Sequence, residues 1–180
     1  MTIDHLDILE TQILHWPDEA HCQQHAEHVA ACPQVREALI ELHGDLGAGK
    51  TTWVRHLLHA LGVPGRIKSP TYALAERYDV GGLPIHHFDF YRFADPREWR
   101  DAGLRDAFAA PGLKLVEWPE KAGGLLPRPD LRLSLSLLMG QQLSQQISQH
   151  RGQDLNPEDD SGARQVRVEA LTSLGQELMK

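Results

Sequence analysis

The most specific chemical pattern in the chain is Gly-Asp-Leu-Gly-Ala-Gly-Lys-Thr at residues 44–51, a complete G-x-x-x-x-G-K-T phosphate-binding loop. In such a loop, backbone N–H groups surround phosphate oxygens, the lysine reaches the β- and γ-phosphates, and the threonine hydroxyl is a ligand for Mg²⁺. The pattern therefore predicts a site for a nucleoside triphosphate with Mg²⁺. The residues expected to contact the nucleotide are Asp45, Leu46, Gly47, Ala48, Gly49, Lys50, Thr51 and Thr52.

Two acidic residues follow apolar segments that have the character of core strands. Asp89 comes at the end of residues 85–89, and Glu117 comes at the end of residues 113–117. A phosphate loop requires a further carboxylate to hold Mg²⁺ and to orient water, and Mg²⁺ prefers oxygen ligands. We therefore predict that Lys50, Asp89 and Glu117 are catalytic, and that Thr51, Asp89 and Glu117 ligate the metal. The residue types leave open which of the two acids contacts Mg²⁺ directly.

The hydrophobic pattern predicts the elements that position these side chains. Apolar residues at 39, 40 and 42 indicate a buried strand before the loop, and apolar residues at helical spacing indicate a helix over 52–61. Other segments predict strands at 11–16, 73–80, 83–90, 113–118, 131–137 and 164–171, and helices at 18–31, 95–108 and the C-terminus. This order predicts an α/β fold: one P-loop NTPase domain over residues 1–180, with a mixed, mostly parallel sheet flanked by helices. The polar residues 140–162 predict a flexible loop within it.

Composition limits the possible classes of protein. The chain has 180 residues and a formal net charge of −7, and its pI is about 5.8. This charge argues against binding nucleic acid through an overall basic field. We find neither an apolar run that would span a membrane nor a signal peptide, and the two cysteines, Cys22 and Cys32, do not make a disulfide framework. These observations predict a cytoplasmic protein with no membrane partner.

Two other patterns superficially indicate different sites. His21, His25 and His28 lie near the two cysteines, but no fixed ligand spacing of a zinc site accompanies them. Residues 79–82 match the D-x-x-G pattern of GTP switch proteins, but the chain contains no N-K-x-D segment for guanine recognition. ATP is therefore favoured over GTP, and a histidine-rich surface helix over a zinc site.

Two alternatives to an ATPase remain open. A small-molecule kinase shares the phosphate loop and needs a lid that carries arginines. Four arginines on or beside the predicted helix 95–108 could form such a lid: Arg92, Arg97, Arg100 and Arg105. Arg92 could stabilise charge on the γ-phosphate or pair with a carboxylate. The other alternative is a nucleotide-gated scaffold that binds ATP without meaningful hydrolysis.

Four motifs stand in one order along the chain and together resemble the TsaE family. They are residues 44–52, Lys68-Ser-Pro-Thr-Tyr72, His87-Phe-Asp-Phe-Tyr-Arg92 and Leu115-Val-Glu-Trp-Pro119. The resemblance extends from about residue 17 to residue 129 and resumes at residues 164–175. The family consists of small bacterial ATPases required for threonylcarbamoyladenosine formation on tRNA. The resemblance therefore implies an ATP-binding α/β domain with modest ATPase activity, which acts through TsaB–TsaD partner proteins that chiefly hold the tRNA.

The resemblance also implies roles for residues that the phosphate loop alone does not indicate. Ser69, Pro70 and Thr71 are similar to the family's nucleotide-responsive switch, and they lie in a Gly- and Pro-rich connection where a ligand-sensing segment is expected. Asp89 matches the family's essential acid and Glu117 its second Mg²⁺ ligand. Trp118 matches a tryptophan beside the site, and Arg164 an arginine near the nucleotide. The chain departs from the family in its long 140–162 segment and in His56, which replaces a glycine.

Overall fold

The computed structural model describes residues 7–95, 98–101, 103–138 and 162–180. The strands are β1 (Glu10–Trp16), β2 (Leu39–His43), β3 (Ala75–Val80), β4 (Leu83–Asp89), β5 (Leu113–Glu117), β6 (Leu131–Leu137) and β7 (Arg164–Ala170). The α-helices are α1 (Glu19–Ala31), α2 (Lys50–Ala60), α3 (Glu98–Asp101), α4 (Arg105–Ala109) and α5 (Ser173–Glu177). Two short 3₁₀ helices cover Pro33–Glu37 and Pro119–Ala122.

The seven strands form one mixed sheet in the order β1-β7-β6-β2-β5-β4-β3. Parallel pairing joins the four central strands β6, β2, β5 and β4, whereas β1, β7 and β3 are added antiparallel at the two edges. Because the central strands are parallel, their carboxyl ends lie at one edge of the sheet, where ligands of open α/β folds bind. The α/β fold predicted from the sequence is confirmed.

Hydrophobic residues pack against both faces of the sheet. On one face, residues of α1 and α2 cover inward side chains of β2, β4, β5, β6 and β7. On the other face, an aromatic cluster lies under α3 and α4, and it contains Phe88, Phe90, Phe93, Trp99 and Phe108. Side chains alternate along a strand, so Ile85, His87 and Asp89 of β4 lie on the face covered by α2.

The predicted strands and the helices at 18–31, at 52–61 and at the C-terminus are confirmed, with ends that differ by at most two residues. The single helix predicted over 95–108 is wrong. Two short helices, α3 and α4, replace it, and Gly103 between them has a left-handed φ of +65° that a continuous helix does not allow. Of the predicted flexible loop at 140–162, residues 140–161 lie outside the described residues.

Two other local features agree with the sequence pattern. β3 and β4 form a hairpin whose turn residues, Gly81 and Gly82, both have positive φ, as a two-residue hairpin loop requires. None of the helices in the described ranges is long and apolar enough to cross a membrane.

Candidate nucleotide-binding site

The phosphate loop, residues 44–51, connects the carboxyl end of β2 to the first turn of α2. Gly44, Gly47 and Gly49 have φ values of +133°, +80° and +106°, which favour glycine. At Gly44 the space also requires glycine, because a Cβ atom there would lie 2.4 Å from the carbonyl oxygen of Leu135. The loop leads into α2 at Lys50, so the free N–H groups of the first helical turn face the loop's concave side. The backbone thus has the strand–loop–helix geometry of a phosphate-binding loop.

Lys50 is buried at the base of this loop. Its Nζ donates hydrogen bonds to the carbonyl oxygens of Gly44 (2.5 Å) and Asp45 (2.9 Å), and it lies 4.0 Å from the centre of the Trp118 ring. Burial lowers the pKa of Lys50, and the attraction of nearby carboxylates opposes this effect; they belong to Glu117, Glu120, Asp89 and Asp45. The ammonium group thus lies at the base of the loop, where the motif predicts the lysine that would contact the phosphates.

Glu117, at the carboxyl end of β5, contacts the phosphate loop directly. Its carboxylate is buried, and Oε1 and Oε2 accept hydrogen bonds from the Thr51 hydroxyl at 2.9 and 2.8 Å. The Nε2 atom of His87 lies 2.8 Å from Oε1 of the same carboxylate. The structure therefore brings together two of the three predicted metal ligands, Thr51 and Glu117.

Asp89, the third predicted ligand, lies at the end of β4, in register with Glu117 on the neighbouring parallel strand. Its Oδ2 atom accepts hydrogen bonds from the hydroxyls of Ser69 and Thr71, the latter at 2.8 Å, and its Oδ1 atom accepts one from the Tyr91 backbone N–H at 2.9 Å. The predicted switch, which we call the switch segment (residues 69–71), is thus attached to Asp89.

A cleft of about 300 Å³ lies between the phosphate loop and the switch segment. Its lining contains most of the predicted site residues: Leu46, Gly47, Gly49, Lys50, Thr51, Thr52, Ser69, Thr71, Asp89, Glu117, Trp118 and Arg164. Three predicted residues do not line it. Asp45 instead accepts a hydrogen bond from Lys50 through its carbonyl, Ala48 accepts one from Arg164, and Pro70 accepts one from Leu74.

Arg164 and Trp118 both lie beside the phosphate loop. Arg164 Nε donates to the Ala48 carbonyl at 2.7 Å, and a Cβ atom at Gly49 would lie 2.9 Å from the same nitrogen. Trp118 has a left-handed φ of +58°, and its ring contacts both Lys50 and Tyr91. Trp118 also packs against the aromatic cluster, so it contributes both to the core and to the lining of the cleft.

Two residues of the site were not predicted individually. Tyr91 lines the cleft, and its ring centre lies 5.1 Å from that of Trp118. His87 contacts Glu117 from within the sheet. A signal for His87 was present in the sequence, because it precedes Asp89 by two residues on a strand and therefore shares its face.

The patterns that suggested other sites lie elsewhere or have other partners. Arg92 stacks on the Tyr72 ring at 4.0 Å and does not line the cleft. Residues 79–82 are the last two residues of β3 and the hairpin turn before β4, at the opposite end of β4 from Asp89. Among the other lid candidates, residue 97 and the side chain of residue 100 lie outside the described part of the chain.

Two of the residues that suggested zinc have surroundings that do not favour a metal ligand. His25 Nδ1 accepts a hydrogen bond from Trp53 Nε1 at 2.9 Å, and burial lowers the pKa of His25 to about 4. Burial raises the pKa of the Cys22 thiol to about 12, so the thiolate that zinc requires is disfavoured.

The strand, glycine-rich loop and helix, with two carboxylates at neighbouring strand ends, define an α/β protein of the P-loop class. The profile of one family in this class, described as threonylcarbamoyl adenosine biosynthesis protein TsaE, matches residues 16–147. The chain therefore belongs to the TsaE family.

Relatives agree with this assignment, and a solved structure shares the fold. Proteins described as tRNA threonylcarbamoyladenosine biosynthesis protein TsaE from Haemophilus influenzae and Bacillus subtilis are 47% identical over 97 residues and 39% identical over 95 residues. These alignments cover 54% and 53% of this chain, and 61% and 59% of the relatives, so they span less than two thirds of either relative. The crystal structure of Bacillus subtilis YdiB shares the fold, with a TM-score of 0.62, 24% identity, and coverage of 94% of this chain and 92% of YdiB.

Proposed function

We propose that this chain is a Mg²⁺-dependent ATPase of the cytoplasm, needed for threonylcarbamoyladenosine modification of tRNA. It would act on a TsaB–TsaD type complex, which would hold the tRNA. The names of the relatives from Haemophilus influenzae and Bacillus subtilis support the pathway. The observation that carries the ATPase assignment is the contact of Thr51 with Glu117, beside Lys50 and opposite Asp89 in one cleft.

The residues of the cleft fit Mg²⁺ and a nucleotide. Thr51, Glu117 and Asp89 offer one hydroxyl and two carboxylates, which is the hard oxygen set that Mg²⁺ prefers, and the remaining ligands would be water and phosphate oxygens. Their net negative charge is balanced in part by Lys50, whose ammonium group lies in the phosphate loop. When bound, Mg²⁺ would neutralise charge on the phosphate oxygens.

The side chains would then act mainly through position and charge. Lys50 would turn from the carbonyls of Gly44 and Asp45 toward the phosphates and offset the charge that develops there. Thr51 and Glu117 would hold the metal side of the site, and Asp89 would orient the attacking water. Since Asp89 also holds Ser69 and Thr71, the state of the γ-phosphate would be transmitted to the switch segment and from there to the partner.

Replacing Lys50 with alanine tests the assignment. Lys50→Ala should lower the rate of phosphate release about 100-fold or more, because it removes the phosphate-loop cation that the motif predicts to reach the transferring phosphoryl group. The matched control is Lys180→Ala, which removes a lysine charge from the exposed C-terminus. Thermal unfolding of both variants would establish that the fold is intact. Wild-type turnover in folded Lys50→Ala would contradict the phosphate-loop assignment.

The role in tRNA modification needs a separate measurement. ATP hydrolysis should rise when a purified TsaB–TsaD complex is added, and formation of threonylcarbamoyladenosine on tRNA should depend on wild-type protein and fail with Lys50→Ala. ADP release that depends instead on a small-molecule phosphate acceptor would indicate a kinase. Negligible hydrolysis with every partner present would indicate a nucleotide-gated scaffold.

A further inference from the structure

His87 is a fully buried polar side chain directly behind the candidate metal ligands. It lies on β4, two residues before Asp89, and its Nε2 atom lies 2.8 Å from Oε1 of Glu117 on β5. An ionised carboxylate can only accept hydrogen bonds, so the proton of this contact belongs to His87 Nε2. The other ring nitrogen, Nδ1, has no hydrogen-bond partner among the described residues. The contact with Glu117 is therefore the polar interaction that accounts for a histidine at this position.

The hydrogen bonds of Glu117 show why this contact matters. Its other donor is the Thr51 hydroxyl, which is itself a candidate Mg²⁺ ligand. A hydroxyl has one proton and two lone pairs, so Thr51 can ligate a cation through a lone pair while it donates its one proton to Glu117. The rest of the carboxylate then needs another donor, and His87, which approaches from within the sheet, supplies it at Oε1. A glutamate side chain without such a partner would lose more rotamer freedom on binding a metal.

We propose that His87 is a positioning residue that holds the Glu117 carboxylate toward Thr51 and thereby sets the affinity of the site for the divalent cation. This inference rests on the proposed Mg²⁺–nucleotide site. It follows the general behaviour of groups that orient metal-binding carboxylates, whose removal weakens metal binding about 10- to 100-fold. His87 need not touch the metal or the nucleotide to have this effect.

The test measures Mn²⁺ binding rather than turnover. Mn²⁺ is titrated into protein with ADP, and free Mn²⁺ is followed by electron paramagnetic resonance. His87→Leu removes the donor at similar size and should weaken Mn²⁺ binding about 10- to 100-fold. His87→Gln places an amide N–H near the position of Nε2 and should restore most of the affinity, whereas the shorter His87→Asn should not. ADP binding without metal should stay within about twofold of wild type in all three variants.

Two controls separate positioning from a general loss of structure. His86→Leu changes the neighbouring histidine, which belongs to the same strand but stacks on Phe88 away from Glu117, and it should bind Mn²⁺ like wild type. Thermal unfolding of each metal-free variant reports stability independently of the metal. In a Glu117→Gln background, His87→Leu should have less than about a twofold further effect, since the proposed action passes through that carboxylate.

The possible outcomes are distinct. Weak Mn²⁺ binding in His87→Leu and His87→Asn, with recovery in His87→Gln and no further loss in the double variant, supports the inference. Wild-type Mn²⁺ binding in folded His87→Asn or His87→Leu overturns it while leaving the proposed function intact. An equal loss in the presence and absence of Glu117 also overturns it. If the wild-type protein binds no Mn²⁺ with ADP, both the proposed function and the inference that rests on it are contradicted.

Discussion

The phosphate loop and the switch segment line the same cleft, yet different interactions hold them. The conformation of the loop is determined by its backbone: three glycines have positive φ, and Gly44 lies close to Leu135. The switch segment is held by side chains, since Ser69 and Thr71 both donate to one oxygen of Asp89. The loop is thus preformed, whereas the switch segment depends on a carboxylate that is also a candidate metal ligand. Whatever engages Asp89 can alter the switch segment without rebuilding the loop.

The largest expected effect comes from adding a methyl group to the loop. Gly44→Ala should lower the free energy of unfolding by about 3 kcal/mol, because a Cβ there meets the Leu135 carbonyl and the backbone conformation disfavours any other residue. Gly47→Ala is the matched control. Its φ is also positive but a Cβ has open space, so the cost should be about 1 kcal/mol. Urea denaturation measures both values, and equal costs would show that the Leu135 contact does not constrain the loop.

A smaller effect should separate the two carboxylates. Asp89→Asn weakens the acceptor of the switch hydroxyls, so amide hydrogen exchange at residues 69–74 should become about tenfold faster. Glu117→Gln, at the register-paired position on β5, should leave that exchange unchanged, because Glu117 contacts Thr51 and His87 instead. Similar exchange rates in the two variants would mean that the switch segment does not depend on Asp89 more than on Glu117.

The smallest effect concerns the helix that follows the phosphate loop. Trp53 on α2 donates to His25, and burial, followed by the charge of His28, lowers the pKa of His25 from 6.5 to about 4. Between these values the unfolded chain takes up a proton that the folded protein does not. Stability from this site is therefore present above about pH 6.5 and is lost as pH falls toward 4, by on the order of 1 kcal/mol at pH 5.5.

The measurement for His25 compares urea denaturation at pH 7.5 and pH 5.5. His25→Gln cannot titrate in this range, so the loss of stability on acidification should be smaller in that variant than in wild type. Equal losses in the two proteins would show that His25 does not contribute to the pH dependence.

Much of the fold could be predicted because its signals are local. Apolar alternation predicted β6 over the residues that form it, and the glycine pair at 81–82 predicted the hairpin of β3 and β4. The helix over 95–108 was wrong because Asp95 and Pro96 are typical of a helix start and suggested one helix from there, whereas Gly103 adopts a left-handed conformation, and Trp99 and Phe108 on either side of it both pack in the aromatic cluster. A signal for the start of a helix does not show where the helix must break to cover a core.

The amino-acid sequence by itself determined the phosphate loop, because its function depends on consecutive backbone N–H groups and on glycines that adopt positive φ. It also determined that two acids end core strands. Only the tertiary structure decided which partner each acid contacts. Glu117 accepts a hydrogen bond from Thr51, 66 positions away in the sequence, and Asp89 accepts one from Ser69, 20 positions away. These meetings depend on β5 lying between β2 and β4, and strand order is set by the packing of the whole sheet rather than by any local pattern.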